Sequence, residues 1–299
     1  MDAVVFGNVT LDVICLTVDD VPRHESLLFD QVAVLPGGCG SNVAVGLGTL
    51  GISTALVCCI GDDAPGRIIK EYWQKAGIDL SFVKHILNKS TAVSIGLVDS
   101  NAQPRFIHTP GANALLTSDD LNISKYIDFG IRLLHIGGFF VLPGIVDDQF
   151  PRKLAEARKN GIITTLDVVR SVRMSNPSLL WPCMPELDIF LCNQAEAGKL
   201  TGHENIEEAS IYLRKKGAAA VIIKLGENGC WVDSDEFIGI IPTPKVEVVD
   251  TTGAGDAFAA GLIAALVKGK KLKEACEEGN KAGARMVTKI GAIGGWLNQ

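Results

Sequence analysis

Short apolar runs recur along the chain, and they limit its folds more than any other feature. They are rich in Val, Ile and Leu without polar alternation, so each suits a strand that is covered on both faces. These runs span residues 2–7, 54–60, 132–136, 162–166, 187–191 and 219–224. Amphipathic stretches of helical period lie between them, at 41–50, 65–76, 146–159, 194–201 and 206–216. The alternation predicts an α/β fold with a largely parallel sheet.

Two further patterns complete the predicted layout. Helical segments at about 254–268 and 272–288 follow one another across a basic turn, and we expect them to pack as a pair over the sheet. The sequence predicts extended segments at residues 13–35 and about 90–108, with turn residues at 19–22 and 101–104. No linker or repeat interrupts the chain, so we expect one domain over 1–299 that carries these two segments as a small β flap.

Composition excludes several classes of protein. Apolar residues make up 47% of the 299 residues, which is too many for a largely disordered chain. Lys and Arg number 28 against 34 acidic residues, a net charge of −6, which argues against nucleic acid or an anionic membrane as a partner. Any anionic ligand must then be bound by a local group of residues.

The cysteines and the hydrophobic segments bear on the compartment. Eight cysteines form no CxxC pair and sit mostly in apolar stretches, so we expect reduced, buried thiols. The N-terminus shows no secretory signal pattern, and the weakly polar run at 257–267 is shorter than the roughly 20 residues that cross a bilayer. These observations predict a cytoplasmic location.

The run Asp250 to Phe258, of sequence DTTGAGDAF, carries the most chemistry. It follows a β-branched stretch and leads into an Ala-rich helical pattern. A Gly-Ala-Gly turn at a helix start presents unpaired N–H groups where the helix dipole favours negative charge, which is the physics of an anion site. A simple helix cap with an acidic first turn is the alternative, and the flanking Asp250 and Thr252 make it less favoured.

A second glycine turn, Gly37 to Ala44 of sequence GGCGSNVA, opens another helical pattern. Adjacent glycines let the backbone approach a ligand, and Asn42 offers a donor and an acceptor to a hydroxyl. A tight turn without a ligand is an equally weighted reading. This turn is not a GxGxxG fingerprint, and no acidic ribose contact lies about 20 residues further on at a strand end, so a dinucleotide fold is disfavoured. The chain has no GxxxxGK[ST] run, which excludes a P-loop.

Five motifs in order make a resemblance specific. They are Gly7-Asn8-Val9-Thr10-Leu11-Asp12, Gly37-Gly38 with Asn42, Asn193-Gln194-Ala195-Glu196, Lys224-Leu225-Gly226-Glu227-Asn228-Gly229, and Asp250 to Phe258. Together they resemble the ribokinase-like (PfkB) family of carbohydrate kinases over essentially the whole chain. The resemblance implies a ribokinase-like, doubly wound sheet with a small β lid, formed here by about 13–35 and 90–108.

The resemblance also implies the catalytic centre. A sugar-like alcohol would attack the γ-phosphate of ATP, with Asp256 as the base that accepts the hydroxyl proton. The amides of Gly253, Ala254 and Gly255 would bind the charge on the transferring phosphoryl group. This arrangement suits a loose transition state, in which positioning and charge stabilisation contribute most.

Residues for the nucleotide and the cations follow from the same resemblance. Glu196 would organise Mg²⁺ through water with Asn193 near the phosphates, although an isolated Asn-x-x-Glu is more simply a helix cap. The remaining implied nucleotide contacts are Lys224, Gly226, Gly229 and Asn280. Asp250, Thr252 and the Gly291 turn resemble the loops that hold a monovalent cation, K⁺, in some members.

The substrate side is less specified. Asp12, Gly38 and Asn42 resemble the group of residues that binds sugar hydroxyls, and a carboxylate suits polyols because it accepts two hydrogen bonds. Cys39 and Gly137-Gly138 stand where ribokinases often have a Lys and an acidic sugar contact. Asp167-Val168-Val169-Arg170 replaces the Asp-x-Asn-x-Arg of other members, so Arg170 either meets an anionic substrate group or forms a salt bridge, the two weighted equally.

The lid admits two uses. It could close over the substrate with Arg105 and His108, or its outer face could pair with a second subunit to form a homodimer, although His108 alone is more simply a surface residue. The leading prediction is an ATP- and Mg²⁺-dependent kinase of an exocyclic hydroxymethyl or comparable alcohol of a small sugar or polyol. A nucleoside kinase, a non-catalytic sugar- or nucleotide-sensing module and a nucleotide-binding oxidoreductase are the alternatives.

Overall fold

The computed structural model describes residues 1–101 and 104–297, and a nine-stranded sheet forms its centre. Ala102 and Gln103 of the predicted 101–104 turn, and the last two residues of the predicted domain, lie outside the described part. In spatial order the strands are β13 (Ile238–Ile241), β12 (Cys230–Ser234), β11 (Ala220–Lys224), β10 (Ile189–Asn193), β9 (Ile163–Asp167), β8 (Leu133–Gly137), β1 (Ala3–Gly7), β4 (Thr54–Gly61) and β5 (Val83–Ile86).

All pairs from β11 to β5 are parallel, and the pairs β11–β12 and β12–β13 at one edge of the described sheet are antiparallel. The mostly parallel α/β sheet predicted from the apolar runs is therefore confirmed. Strand β1 is buried at all five positions, which explains why its sequence shows no alternation.

Helices cover both faces of this sheet. They are α1 (Cys39–Thr49), α2 (Ala64–Lys75), α3 (Ile123–Asp128), α4 (Gln149–Lys159), α5 (Gln194–Thr201), α6 (Ile206–Lys215), α7 (Ala254–Val267) and α8 (Leu272–Met286). One apolar core packs α1, α2, α7 and α8 against one face, and a second packs α3 to α6 against the other. Helices α7 and α8 pack closely, since a Cβ on Gly261 would lie 2.7 Å from the Ala282 Cβ.

Four strands form a separate sheet in the order β3 (Gln31–Gly37), β2 (Thr10–Leu16), β6 (Val93–Val98) and β7 (Pro104–His108). These strands lie within or beside the stretches expected to form a flap. Strand β2 begins three residues earlier than expected, and residues 17–30 between β2 and β3 form no strand. We call this sheet the lid sheet. Its status as a part of one domain stays a prediction.

Seven of the eight free cysteines are buried and Cys39 is half-buried, as expected for reduced thiols. Among the described residues, no helix is long and apolar enough to cross a membrane.

Candidate active site

Asp256 lies in the first turn of α7, where it meets the start of α1. Its Oδ2 accepts a hydrogen bond of 2.7 Å from Nδ2 of Asn42. The carboxyl also accepts from the Cys39 thiol, and burial raises its pKa above the usual value of an Asp. Two predicted residues, Asn42 and Asp256, are thus brought together from 214 positions apart. The Oδ1 of Asn42 is buried and has no partner among the described residues, so it can accept a further hydrogen bond.

The glycine before α7 shapes the backbone around Asp256. Gly253 has φ +76°, and a Cβ there would lie 2.3 Å from the carbonyl oxygen of Ala292. Within the described residues, the N–H groups of Gly253, Gly255 and Asp256 have no acceptor. The N–H of Ala254 donates to the carbonyl of Thr251 at 3.2 Å. The free donors are therefore Gly253, Gly255 and Asp256, and the predicted Ala254 amide is already engaged.

Asp12, on β2 of the lid sheet, lies close enough to Asp256 for their charges to interact. Its Oδ1 accepts from the Thr10 hydroxyl at 2.7 Å. Burial raises the pKa of Asp12 to about 6, the Thr10 hydrogen bond lowers it, and the charge of Asp256 raises it. The carboxylate packs over Gly37, where a Cβ would lie 2.0 Å from Asp12 Oδ2. A carboxylate held in this way can accept hydroxyl hydrogen bonds from a polyol.

Strand register adds two residues to Asp12. Asp12 pairs with Ser94 on β6, and Ser94 pairs with His108 on β7. Residues in register on neighbouring strands share a face, so these three side chains form a polar row. The electrostatic interaction with His108 lowers the pKa of the Asp12 carboxyl. Ser94 escaped the sequence prediction because no motif contains it.

Gly38 turns the chain from the lid sheet into α1. Its φ is +85°, and a Cβ there would lie 2.7 Å from both the Asn8 carbonyl oxygen and the Val9 Cα. Only glycine fits this turn without strain. The close approach fixes the start of α1, and therefore the place of Asn42, against the end of β1.

Asn193 and Glu196 form a reciprocal cap at the start of α5. The Glu196 N–H donates to Asn193 Oδ1 and the Asn193 N–H donates to Glu196 Oε2, both at 2.8 Å. The helix-cap reading of this motif is therefore correct, and it leaves room for a second role. Burial raises the pKa of Glu196, while Lys224 and the Asn193 N–H lower it. Backbone amides of Asn193 and Arg170 contact the carboxylate, so water-mediated binding of a metal fits it better than direct binding.

Lys224 and Asp167 form a buried ion pair that the sequence prediction missed. Lys224 Nζ lies 2.6 Å from Asp167 Oδ2, and the two side chains are 15% and 5% exposed. Burial raises the pKa of Asp167 to about 7 against the opposing effect of Lys224. The detectable signal was an acidic residue that ends a buried strand. Arg170, three residues later, is exposed and has no ion pair among the described residues.

The predicted cation loops lie together. Asp250 Oδ1 accepts from the N–H and the hydroxyl of Thr252, at 2.9 and 2.7 Å, and its Oδ2 accepts from the Gly291 N–H at 2.8 Å. Carboxylate and carbonyl oxygens at this junction are of the kind that alkali cations bind. Across the described residues, no three or more His, Cys, Asp or Glu side chains are grouped to hold a metal ion.

The remaining predicted nucleotide residues line the edge beyond β11. Gly226 and Gly229 have φ +59° and +89° in the turn between β11 and β12. Asn280 is buried, and its Nδ2 donates to the carbonyls of Ile241 and Pro242 at 2.9 and 3.2 Å. Its amide therefore holds α8 to the end of β13, and its contact with adenine stays a prediction.

Comparison with known proteins places these residues in a family context. The family model described as pfkB family carbohydrate kinase matches residues 1–298. Fructokinase-1 of Zea mays is 29% identical over 96% of this chain and 92% of its own length. Aminoimidazole riboside kinase of Salmonella typhimurium is 30% identical over 93% of this chain and 88% of its own length. The structure of Arabidopsis thaliana ribokinase complexed with ribose and ATP superposes with a TM-score of 0.83, at 27% identity over 98% of this chain and 95% of that one.

Proposed function

The chain belongs to the pfkB family of carbohydrate kinases, and from this premise we propose that it phosphorylates an exocyclic hydroxymethyl group of a small sugar or polyol with ATP. As a family member it is a sugar or nucleoside kinase, a phosphotransferase whose acceptor is a hydroxyl group. The observation that carries the finer proposal is the Asp256 carboxylate, which Asn42 holds beside N–H groups without acceptors.

Asp256 is the proposed base. The acceptor hydroxyl oxygen attacks the γ-phosphorus of ATP, the bond between that phosphorus and the bridging oxygen of ADP breaks, and the hydroxyl proton passes to Asp256. The raised pKa of Asp256 makes its carboxylate a better proton acceptor than an exposed Asp. The N–H groups of Gly253 and Gly255 stabilise the charge on the transferring group, and that of Ala254 contributes once it leaves the Thr251 carbonyl.

The negative charge of the ATP phosphates needs further positive or polar groups in the site, because the chain is acidic overall. Lys224 supplies a mostly buried cation next to Gly255 at the start of α7, and Gly226 and Gly229 let the backbone approach the phosphates. Mg²⁺ bound through water to Glu196, with Asn193 beside it, would neutralise phosphate charge. Asp250 and Thr252 with the Gly291 turn would hold K⁺, and Asn280 would keep the adenine side in place.

The acceptor would lie between the lid sheet and α1. Asp12 and Asn42 would accept its hydroxyl hydrogen bonds, with Gly38 giving the backbone room. Arg170 would meet an anionic group of the substrate if one is present. The lid sheet would exclude water when the substrate is bound, and His108 reaches the site through the row that it shares with Asp12.

A riboside is the second candidate acceptor. The Salmonella relative, named aminoimidazole riboside kinase, is as similar to this chain as the fructokinase is. Both acceptor classes present a primary hydroxyl next to a ring, so the same base and the same Asp12 would serve either one.

Phosphate transfer from ATP to a panel of ketoses, aldoses, polyols and nucleosides tests the proposal, with and without Mg²⁺ and K⁺. We expect one class to give a kcat/KM at least about 10²-fold above the rest, and Asp256→Asn to reduce kcat by about 10³-fold or more at unchanged melting temperature. Full activity of Asp256→Asn would remove it as the base. Binding of a sugar without turnover across the whole panel would favour the sensing module instead.

We also propose a homodimer that forms through the lid sheet, in the cytoplasm. Val34, Val13, Ile95 and Ile107 form a row across the lid sheet on the face opposite Asp12. Ile107 is 66% exposed and Val34 39% exposed, so the row is open to a second copy. The eight free cysteines fit a reducing compartment.

A further inference from the structure

The Lys224–Asp167 ion pair bridges a strand that lies between its two members. Lys224 is the last residue of β11, Asp167 is the last of β9, and β10 runs between them. Neighbouring strands are about 4.8 Å apart, so the lysine spans two spacings to reach Asp167 instead of extending into solvent. The result is a fixed ammonium group at the carboxyl ends of the parallel strands.

The same ammonium group lies beneath the first turn of α7. An ideal Cβ on Gly255 would be only 3.1 Å from Lys224 Nζ. The N–H of Gly255 also has no acceptor in the part of the chain that the structure describes. Two independent features, a free amide and a buried cation, therefore meet at one residue, and both favour negative charge at that point.

Three carboxylates compete for this one cation. Burial disfavours the charged form of Lys224, but the charges of Asp167, Glu196 and Asp256 outweigh that effect and raise its pKa. Within the described part of the chain, Asp167 is the one residue hydrogen-bonded to the ammonium group. Without Asp167, the flexible lysine would be free to turn towards Glu196 or Asp256, where it would stabilise the ionised base and weaken it as a proton acceptor.

The pair is poorly arranged for stability alone. Asp167 Oδ1 is buried and has no hydrogen-bond partner among the described residues, so only one carboxylate oxygen is used. A buried ion pair with an unsatisfied oxygen contributes little net stability, since the desolvation of both charges opposes folding. A role in the site accounts for such a pair better than packing does.

We propose that Asp167 is a positioning residue that holds the Lys224 ammonium group under Gly255, as the fixed positive charge for the transferring phosphoryl group, and keeps it off Asp256. This inference rests on the proposed phosphoryl transfer. Asp167 acts through Lys224 and makes no contact of its own with the reacting atoms.

A double-mutant cycle tests the proposal with Asp167→Asn, Lys224→Met and the double variant in the full chain. We expect each single variant to lower kcat by about 10- to 100-fold. The double variant should differ from Lys224→Met by less than about threefold, because Asp167 has no task once the lysine is absent. Independent, multiplicative losses in the double variant would overturn the proposal.

Asp120→Asn is the matched control. Asp120 is 10% exposed and lies 2.6 Å from Lys84, so it is a mostly buried Asp paired with a lysine that is remote from the site, although Lys84 is more exposed than Lys224. The two Asp→Asn variants should lose comparable melting temperature, while only Asp167→Asn loses kcat. An equal loss of kcat in Asp120→Asn would show a general effect of instability and contradict the proposal.

Two arms keep the outcome decisive. If Asp167→Asn fails to fold, the double variant can still be compared with Lys224→Met, because it leaves no unpaired buried charge. A kcat of the double variant far below that of Lys224→Met would overturn the proposal. Calorimetric titration with Mg²⁺-ATP repeats the cycle in Kd, where we expect Lys224→Met to weaken binding about tenfold and the added Asp167→Asn to change it less than threefold. Absence of turnover in the wild-type chain would count against the proposed function. The cycle measured in Kd would still test whether Asp167 acts through Lys224.

Discussion

At the scale of single residues, the site consists of carboxylates whose environments differ. Asp167 is buried and Asp12 is half-buried, with pKa values raised to about 7 and about 6, and burial also raises the pKa of Asp256. Asp250, by contrast, uses both oxygens to join two loops. The residue type alone does not distinguish the proposed base, the proposed sugar contact and the proposed positioning group from a structural brace. Their neighbours do.

Asp12 offers a pH test at this scale. Its pKa is about 6 in the folded chain and about 3.9 when unfolded, so the folded state binds more protons between these values. Stability from this group is therefore lost as the pH rises from about 4 to about 7, by up to about 3 kcal/mol. The Asp12→Asn variant does not lose stability in this way, because its amide does not titrate. Its side-chain oxygen can still accept the hydrogen bond from the Thr10 hydroxyl. In urea unfolding, its stability relative to wild type should rise with pH over that range. A difference that does not vary with pH would contradict the buried carboxyl.

At the scale of elements, the start of α7 carries two glycines of different kinds. Gly253 has a left-handed backbone that a side chain would strain, and its Cβ would meet backbone. Gly255 is helical, and its Cβ would meet only the tip of Lys224. One glycine therefore supports the fold, and the other keeps space for a charge.

Alanine substitutions should separate these two roles. Gly253→Ala should lower the unfolding free energy by about 2 kcal/mol or more, because it combines αL strain with a backbone clash. Gly255→Ala should change stability by less than about 1 kcal/mol but reduce kcat about tenfold, because it displaces the Lys224 ammonium group. Thermal unfolding and steady-state kinetics measure both effects. A fully active Gly255→Ala variant would show that the position of the lysine is unimportant.

At the scale of the whole molecule, the lid sheet has two unlike faces. One face carries the polar row of Asp12, Ser94 and His108, and Asp12 lies close enough to the candidate base Asp256 for their charges to interact. The adjacent register carries Val13, Ile95 and Ile107 on the opposite face, since side chains alternate along each strand. The sheet can therefore cover the substrate with one face and pack against a second copy with the other.

Charged substitutions on the outer face test this assembly. We expect the wild-type chain to be a dimer by light scattering after size exclusion, and Val34→Asp with Ile107→Asp to make it a monomer. Ile211→Asp is the control, because Ile211 on α6 is 44% exposed and remote from the lid sheet. A monomeric wild type, or a doubly substituted chain that remains dimeric, would rule out this interface.

Local patterns made much of the molecule predictable from sequence. The apolar runs and helical periods predicted the six central strands and most helices to within a few residues, because burial and backbone hydrogen bonding act over ten or so neighbouring positions. The two glycine turns likewise predicted the starts of α1 and α7, whereas the anion site at the start of α7 stays a prediction. The family resemblance added the roles of Asp12, Asn42 and Asp256, and the fold was confirmed.

Only the tertiary structure decided which side chains meet. Lys224 and Asp167 are 57 residues apart, and their contact depends on β10 lying between their strands. The row that Ser94 and His108 share with Asp12 depends on strand register. The hydrogen bonds that the Ala254 and Asn280 amides donate to backbone carbonyls depend on how the loops pack against the helices. Such contacts are set by strand order and packing across the whole chain, about which a single motif carries no information.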